Sequence, residues 1–91
     1  MATDKLALAR AVGRRMTKVR TAAGLSQRAL ARLTRMSQAH VAELERGQRN
    51  PSLLTIATIA SALDVELLDL LRDVPKVRVR RVRPQATKQL P

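Results

Sequence analysis

His40, Gln38, Glu43 and Glu45 lie close together in this 91-residue chain, and each carries a side chain that could do chemistry. His40 with Glu43 at i+3 is half of a metal site, but there is no second histidine and no cysteine to complete it. Glu43 and Glu45, two apart on a helix, cannot face one substrate as an acid/base pair. No glycine-rich phosphate loop is present. Catalysis, a bound metal and a cofactor are therefore not expected. Hydrogen bonding to a patterned edge is within reach of the same residues. A glutamine can bond adenine N6 and N7 together, a glutamate can accept from the N4 amine of cytosine, and the methyls of Ala39 and Ala42 could touch a thymine methyl. Gln38 is the first candidate for setting specificity.

These side chains need a helix to present them, and the sequence marks one out together with the element that steadies it. Ser26 and Ser37 each precede a helical pattern, where a hydroxyl can accept from an otherwise unpaired backbone N–H. The spacing predicts helices over 27–34 and 38–46, held across a tight turn. Leu30 and Ala31 face inward from the first and Val41 and Leu44 from the second, with the small Ala31 letting the axes approach closely. Gly47 supplies the left-handed residue that ends the second helix. With Val41, Leu44 and Ala31 buried, the outer face carries Gln38, Ala39, Ala42 and Glu43, and its N-terminal end is the part expected to reach base edges.

The remaining periodicity supplies the support. Ala9, Val12, Met16, Val19 and Ala23 form the stripe of an amphipathic helix over about 6–23, stopped by Gly24. A loop follows at Gln48-Arg49-Asn50-Pro51. Ser52 caps a fourth helix marked by Leu53, Ile56, Ile59, Ala60 and Leu63, and Asp64 stands where it should end. Val65, Leu67, Leu70 and Leu71 mark a short fifth. The chain has no Phe, Tyr or Trp, so the core must come from aliphatic side chains and Met, nearly all of them used. The same lack removes any platform for stacking unpaired bases, against RNA and single-strand binding.

Charge points to a polyanion. The net charge is +11, and it is unevenly spread: 5–49 holds eleven Lys and Arg against Glu43 and Glu45 alone, 50–75 is acidic, and 76–91 is basic with no acid. Ser26 and Gln27, at the positive end of the second helix, would present donors to a phosphate, as would Ser37 at the start of the third. His40, Arg46, Arg49 and Arg14 join the candidate phosphate-binding set. The absence of cysteine fits a reducing cytoplasm, the expected location. No apolar run approaches the roughly 18 residues that span a bilayer. The arginines at 10, 14 and 15 argue against a signal peptide.

After Pro75, apolar and basic residues alternate from Lys76 to Arg80 in a strand pattern that slips phase at Arg81. The expected organisation is a domain over 1–75 and a basic tail over 76–91. Val77 and Val79 could pair with a two-fold mate or with the edge of a partner protein's sheet; equally, the tail could lie along DNA or stay disordered.

Taken in order, Gly24-Leu25-Ser26-Gln27, Leu30-Ala31, Ser37, Val41, Leu44-Glu45-Arg46-Gly47, Asn50-Pro51-Ser52-Leu53, Ile59-Ala60, Ala62-Leu63, Leu67 and Leu70-Leu71 resemble the phage-repressor-like helix-turn-helix domains of the Cro/XRE type, over about 12–71. The resemblance implies an all-α, compact five-helix lambda-repressor-like fold with a basic C-terminal extension. It also implies a transcriptional regulator binding a two-fold double-stranded DNA operator as a homodimer, with the third helix in the major groove. Base readers would then fall at Gln38, Ala39 and Glu43, and Gln27 would clamp the backbone. Arg20 and Glu45 would form a structural ion pair. Two departures stand out. Arg35 occupies the turn position that usually holds glycine, where it could add a phosphate contact. Leu54 and Leu68 replace usual polar residues and become candidates for a dimer interface. An antitoxin or a restriction-modification-type controller, with the C-terminal segment binding a partner protein, is the alternative function on the same fold.

Overall fold

Three serines start three helices in the same way. In the computed structural model, which describes residues 2–76, the side chains of Ser26, Ser37 and Ser52 accept from the backbone N–H groups of Ala29, His40 and Thr55, each at 3.0 Å. Each cap satisfies one of the donors that a helix start leaves unpaired. The helices are α2 (Gln27–Thr34), α3 (Gln38–Glu45) and α4 (Leu53–Ala62), preceded by α1 (Ala2–Ala22) and followed by a 3-10 helix at Leu67–Leu71. Among the described residues there is no strand.

The helix ends are equally uniform. Gly24, Arg35, Gly47 and Asp64 all have positive φ. After each, two backbone N–H groups turn back to helix carbonyls, as in Arg35 to Arg32 and Met36 to Ala31, or Gly47 to Leu44 and Gln48 to Glu43. This closure ties off the carbonyls that have no intrahelical donor.

Each α-helix contributes to one core, made of Val12, Met16, Leu30, Ala31, Val41, Leu44, Ile56, Ile59, Ala60, Leu63 and Leu70. Several expectations need correction. The first helix starts at Ala2 instead of near Leu6, because no glycine or proline precedes Leu6 to stop it. Ala23, assigned to the buried stripe, is exposed just past the end of α1. The short fifth helix is of the 3-10 type. Leu53 is 68% exposed, because it sits in the first turn of α4, outside the packed surface. Nor does the core use nearly every long aliphatic side chain: Leu6, Leu33, Leu54 and Leu68 are exposed as well. The strand pattern, Val77 and Val79 lie outside the described residues.

α1 and α3 touch at Gly13. A Cβ built there would lie 2.4 Å from the carbonyl oxygen of Glu45 and 2.5 Å from that of Leu44. Only a residue without a side chain lets the two backbones meet this closely. The contact seats the end of α3 and fixes where its exposed face points.

Candidate nucleic-acid interface

The seat of α3 is polar as well as apolar. Arg20 Nε donates to Glu45 Oε2 at 2.6 Å and Nη2 to Oε1 at 3.0 Å, while Nη1 donates to the carbonyl of Leu25 at 2.7 Å. The side chains are 11% and 4% exposed. Gln27 Nε2 adds a third bond to the carboxylate, on Oε1 at 2.9 Å. Burial pushes the Glu45 carboxyl up, but the bonds from Arg20 and Gln27 outweigh it and hold the group below its usual value. Glu45 is thus an ionised structural anchor joining α1, the start of α2 and the end of α3.

Gln27 therefore faces inward as well as toward the helix start. Its amide, expected to face a phosphate, is committed to Glu45 and half-buried. The sequence signal for this was the position of Glu45, whose carboxylate has more acceptor capacity than one arginine fills.

With Val41, Leu44 and Glu45 buried, the rest of α3 faces out. Gln38 and Ala39 are exposed, and His40, Ala42 and Glu43 are half-buried. The face thus presents an amide, two methyls, an imidazole and a carboxylate, all suited to base edges or phosphate oxygens. Ser37 and Ser26 are exposed, each hydroxyl occupied as an acceptor by its cap but able to donate.

The basic candidates fall into three places. Arg14 and Arg46 line one cleft together with Arg10, which the sequence reading did not single out. Arg10 is placed there because its backbone runs against Gly47, where a Cβ would lie 2.7 Å from the Arg10 Cα. Arg35 is exposed in the turn between α2 and α3, with φ 59° and ψ 33°, so the turn keeps the left-handed shape that glycine would give it. Arg49 is bonded to Glu43, Nε to Oε1 at 2.6 Å. That bond, first, holds the Glu43 carboxyl below its usual value. Arg15, also not foreseen, reaches from α1 to the carbonyl of Asp69 at 2.6 Å and ties the 3-10 helix down.

Two short helices joined by a tight turn, the second exposing a polar face beside clustered arginines, define a helix-turn-helix module. The chain belongs to the HTH_3 helix-turn-helix family, which matches residues 16–70. It is 35% identical over 60 residues to the HTH-type transcriptional regulator y4dJ of Sinorhizobium fredii, spanning 66% of this chain and 78% of that protein. It is 36% identical over 56 residues to the immunity repressor protein of Bacillus phage phi105, covering 62% of this chain and 39% of the repressor. Among solved structures it is similar to the restriction-modification controller protein C.AhdI of Aeromonas hydrophila, with a TM-score of 0.66 and 45% identity over 68% of this chain and 94% of that one. The family consists of DNA-binding transcription regulators, not enzymes. Among the described residues no helix is long and apolar enough to cross a membrane.

Proposed function

We propose that this chain is a sequence-specific regulator of transcription that binds double-stranded DNA as a homodimer, laying α3 in the major groove of each half-site. The observation that carries the reading is the division of α3. One face is locked into the core by Val41, Leu44 and the Glu45 anchor, and the other leaves Gln38, Ala39, Ala42 and Glu43 facing out. A reading helix needs both properties, since base edges are discriminated only by groups held in fixed register.

In this reading Gln38, Ala39, Ala42 and Glu43 contact bases. Ser26, Ser37, His40, Arg14, Arg35 and Arg46 contact phosphates and set that register, with Gln27 steadying the arrangement from within. Two copies would place their α3 helices about 34 Å apart, one helical turn of DNA. Leu54 and Leu68, 76% and 71% exposed, supply apolar surface for the two-fold contact. The domain over 1–75 would carry the reading and the basic tail over 76–91 would add to it. Regulation would follow by occluding a promoter or recruiting the polymerase.

Selection of bound sequences from a random DNA pool tests this. The expected product is a two-fold sequence with half-sites one turn apart. Footprints without sequence preference at any salt concentration would overturn it. The same selection with the chain stopped at Pro75 assigns the tail. Loss of affinity with an unchanged motif makes it an arm along DNA, and loss of dimerisation makes it a pairing strand.

The likeness to the Aeromonas controller protein favours a narrower reading, in which the chain controls restriction-modification genes. A reporter driven by the promoter of an adjacent restriction-modification operon should then respond to this protein, and no response would exclude it.

A further inference from the structure

Arg49 lies outside α3, yet the chain folds it back onto the exposed side of that helix. The backbone turns at Gly47, and the N–H of Gln48 closes on the carbonyl of Glu43 at 2.9 Å. One residue later the Arg49 Nε donates to Glu43 Oε1 at 2.6 Å. Both side chains remain open to solvent, 55% exposed for Arg49 and 34% for Glu43.

That bond uses one oxygen of the carboxylate and the inner nitrogen of the guanidinium. Oε2 of Glu43 is left to accept, and the two Nη nitrogens of Arg49 are left to donate. The pair therefore presents an acceptor beside a fork of donors. A C·G base pair presents the complement in the major groove: the cytosine N4 amine donates, and guanine O6 and N7 accept.

Resting on the reading of α3 as the recognition helix, we infer that Glu43 and Arg49 act as one unit that reads a single C·G base pair, Glu43 taking the cytosine amine and Arg49 the guanine edge. Arg49 is thus a specificity determinant contributed by the loop after α3. The pairing also removes an obstacle, because a lone carboxylate would be repelled by the flanking phosphates, and Arg49 cancels its charge. The fork geometry of arginine is essential to the unit, since a lysine offers only a point charge.

The test uses the full chain and duplexes carrying the selected operator with each of the four base pairs at every half-site position. Wild type, Glu43→Gln, Arg49→Gln, Arg49→Lys and the Glu43→Gln/Arg49→Gln double variant are compared, with thermal melts to show that all are folded. Wild type should prefer C·G at one position by about tenfold or more. Each single variant should lose the preference at that same position, and the double variant should be no worse than either, as expected of coupled groups. Arg49→Lys should keep affinity within a few-fold yet not restore the preference. The inference is overturned if Arg49→Gln weakens all base pairs alike and lowers the salt slope by about one, which marks a phosphate contact. It is also overturned if the two single variants act at different positions. A wild type without preference at any position defeats the reading of α3 itself, a result seen before any variant is measured.

Discussion

Arg20 grips both carboxylate oxygens of Glu45, at 2.6 and 3.0 Å, across 25 positions of sequence. The bond ties the last turns of α1 to the end of α3, so the helix presented to solvent is anchored through a charge pair in addition to apolar packing. Glu45→Ala should destabilise the domain by about 3–5 kcal/mol, because it strands a buried arginine. Replacing both partners together, as Arg20→Met with Glu45→Leu, should cost far less. Urea unfolding of the wild type and the two variants measures the difference.

The same carboxyl makes stability depend on acid. Its folded pKa lies below the usual value of 4.5, because the bonds from Arg20 and Gln27 overcome burial. A lowered folded pKa means that the stabilisation is complete above 4.5 and is lost as pH falls through the folded value. Glu43 and Asp69 are also shifted down, but both half-buried carboxylates stay in contact with solvent, which screens their ion pairs and leaves their contribution small. Urea midpoints measured against pH should fall on the acid side of 4.5, and Glu45→Gln should flatten that fall.

Gly13→Ala removes a costly glycine from a helix interior, which alone would gain about 1 kcal/mol. Its new methyl would stand 2.4 Å from the Glu45 carbonyl oxygen and force α1 and α3 apart. The expected net effect is destabilisation, since overpacking costs about 1–3 kcal/mol. A lower melting temperature together with weaker DNA binding checks it, and a higher one would contradict the close approach.

Arg35 sits at φ 59° in a turn where a side chain is strained. Arg35→Gly should raise stability by about 1 kcal/mol, read from thermal melts. If Arg35 also meets a phosphate, the same variant binds every DNA sequence more weakly.

Gln38→Ala should relax preference at one base position by about 1–3 kcal/mol and leave the others unchanged. Arg46→Ala should instead weaken all sequences alike and reduce the salt slope by about one. Competition binding over several salt concentrations separates the two patterns.

Leu54→Glu and Leu68→Glu should convert a dimer to a monomer in sedimentation while changing monomer stability by less than about 0.5 kcal/mol, since both side chains are exposed. Retained dimers would place the two-fold contact elsewhere.

The elements were legible because their signals are local. A serine three residues before the N–H it caps, an apolar residue every third or fourth position, and a glycine or aspartate in a left-handed terminal position all act within one turn of helix. The family resemblance supplied the expectation that Arg20 faces Glu45. Gly13 carried a readable signal, as a glycine inside a helix needs a reason, but the sequence did not say which backbone it met.

From the sequence alone came the starts of α2, α3 and α4, the stops of the four α-helices, the inner and outer faces of α3 and the basic character of its surroundings, all set by bonds and contacts within a few residues. The tertiary structure alone decided that Gln27 turns in to Glu45, that Arg10 joins Arg14 and Arg46, and that Arg49 is paired with Glu43. Those partners depend on how closely two backbones approach and where a loop returns, and residue spacing within one helix carries no information about either.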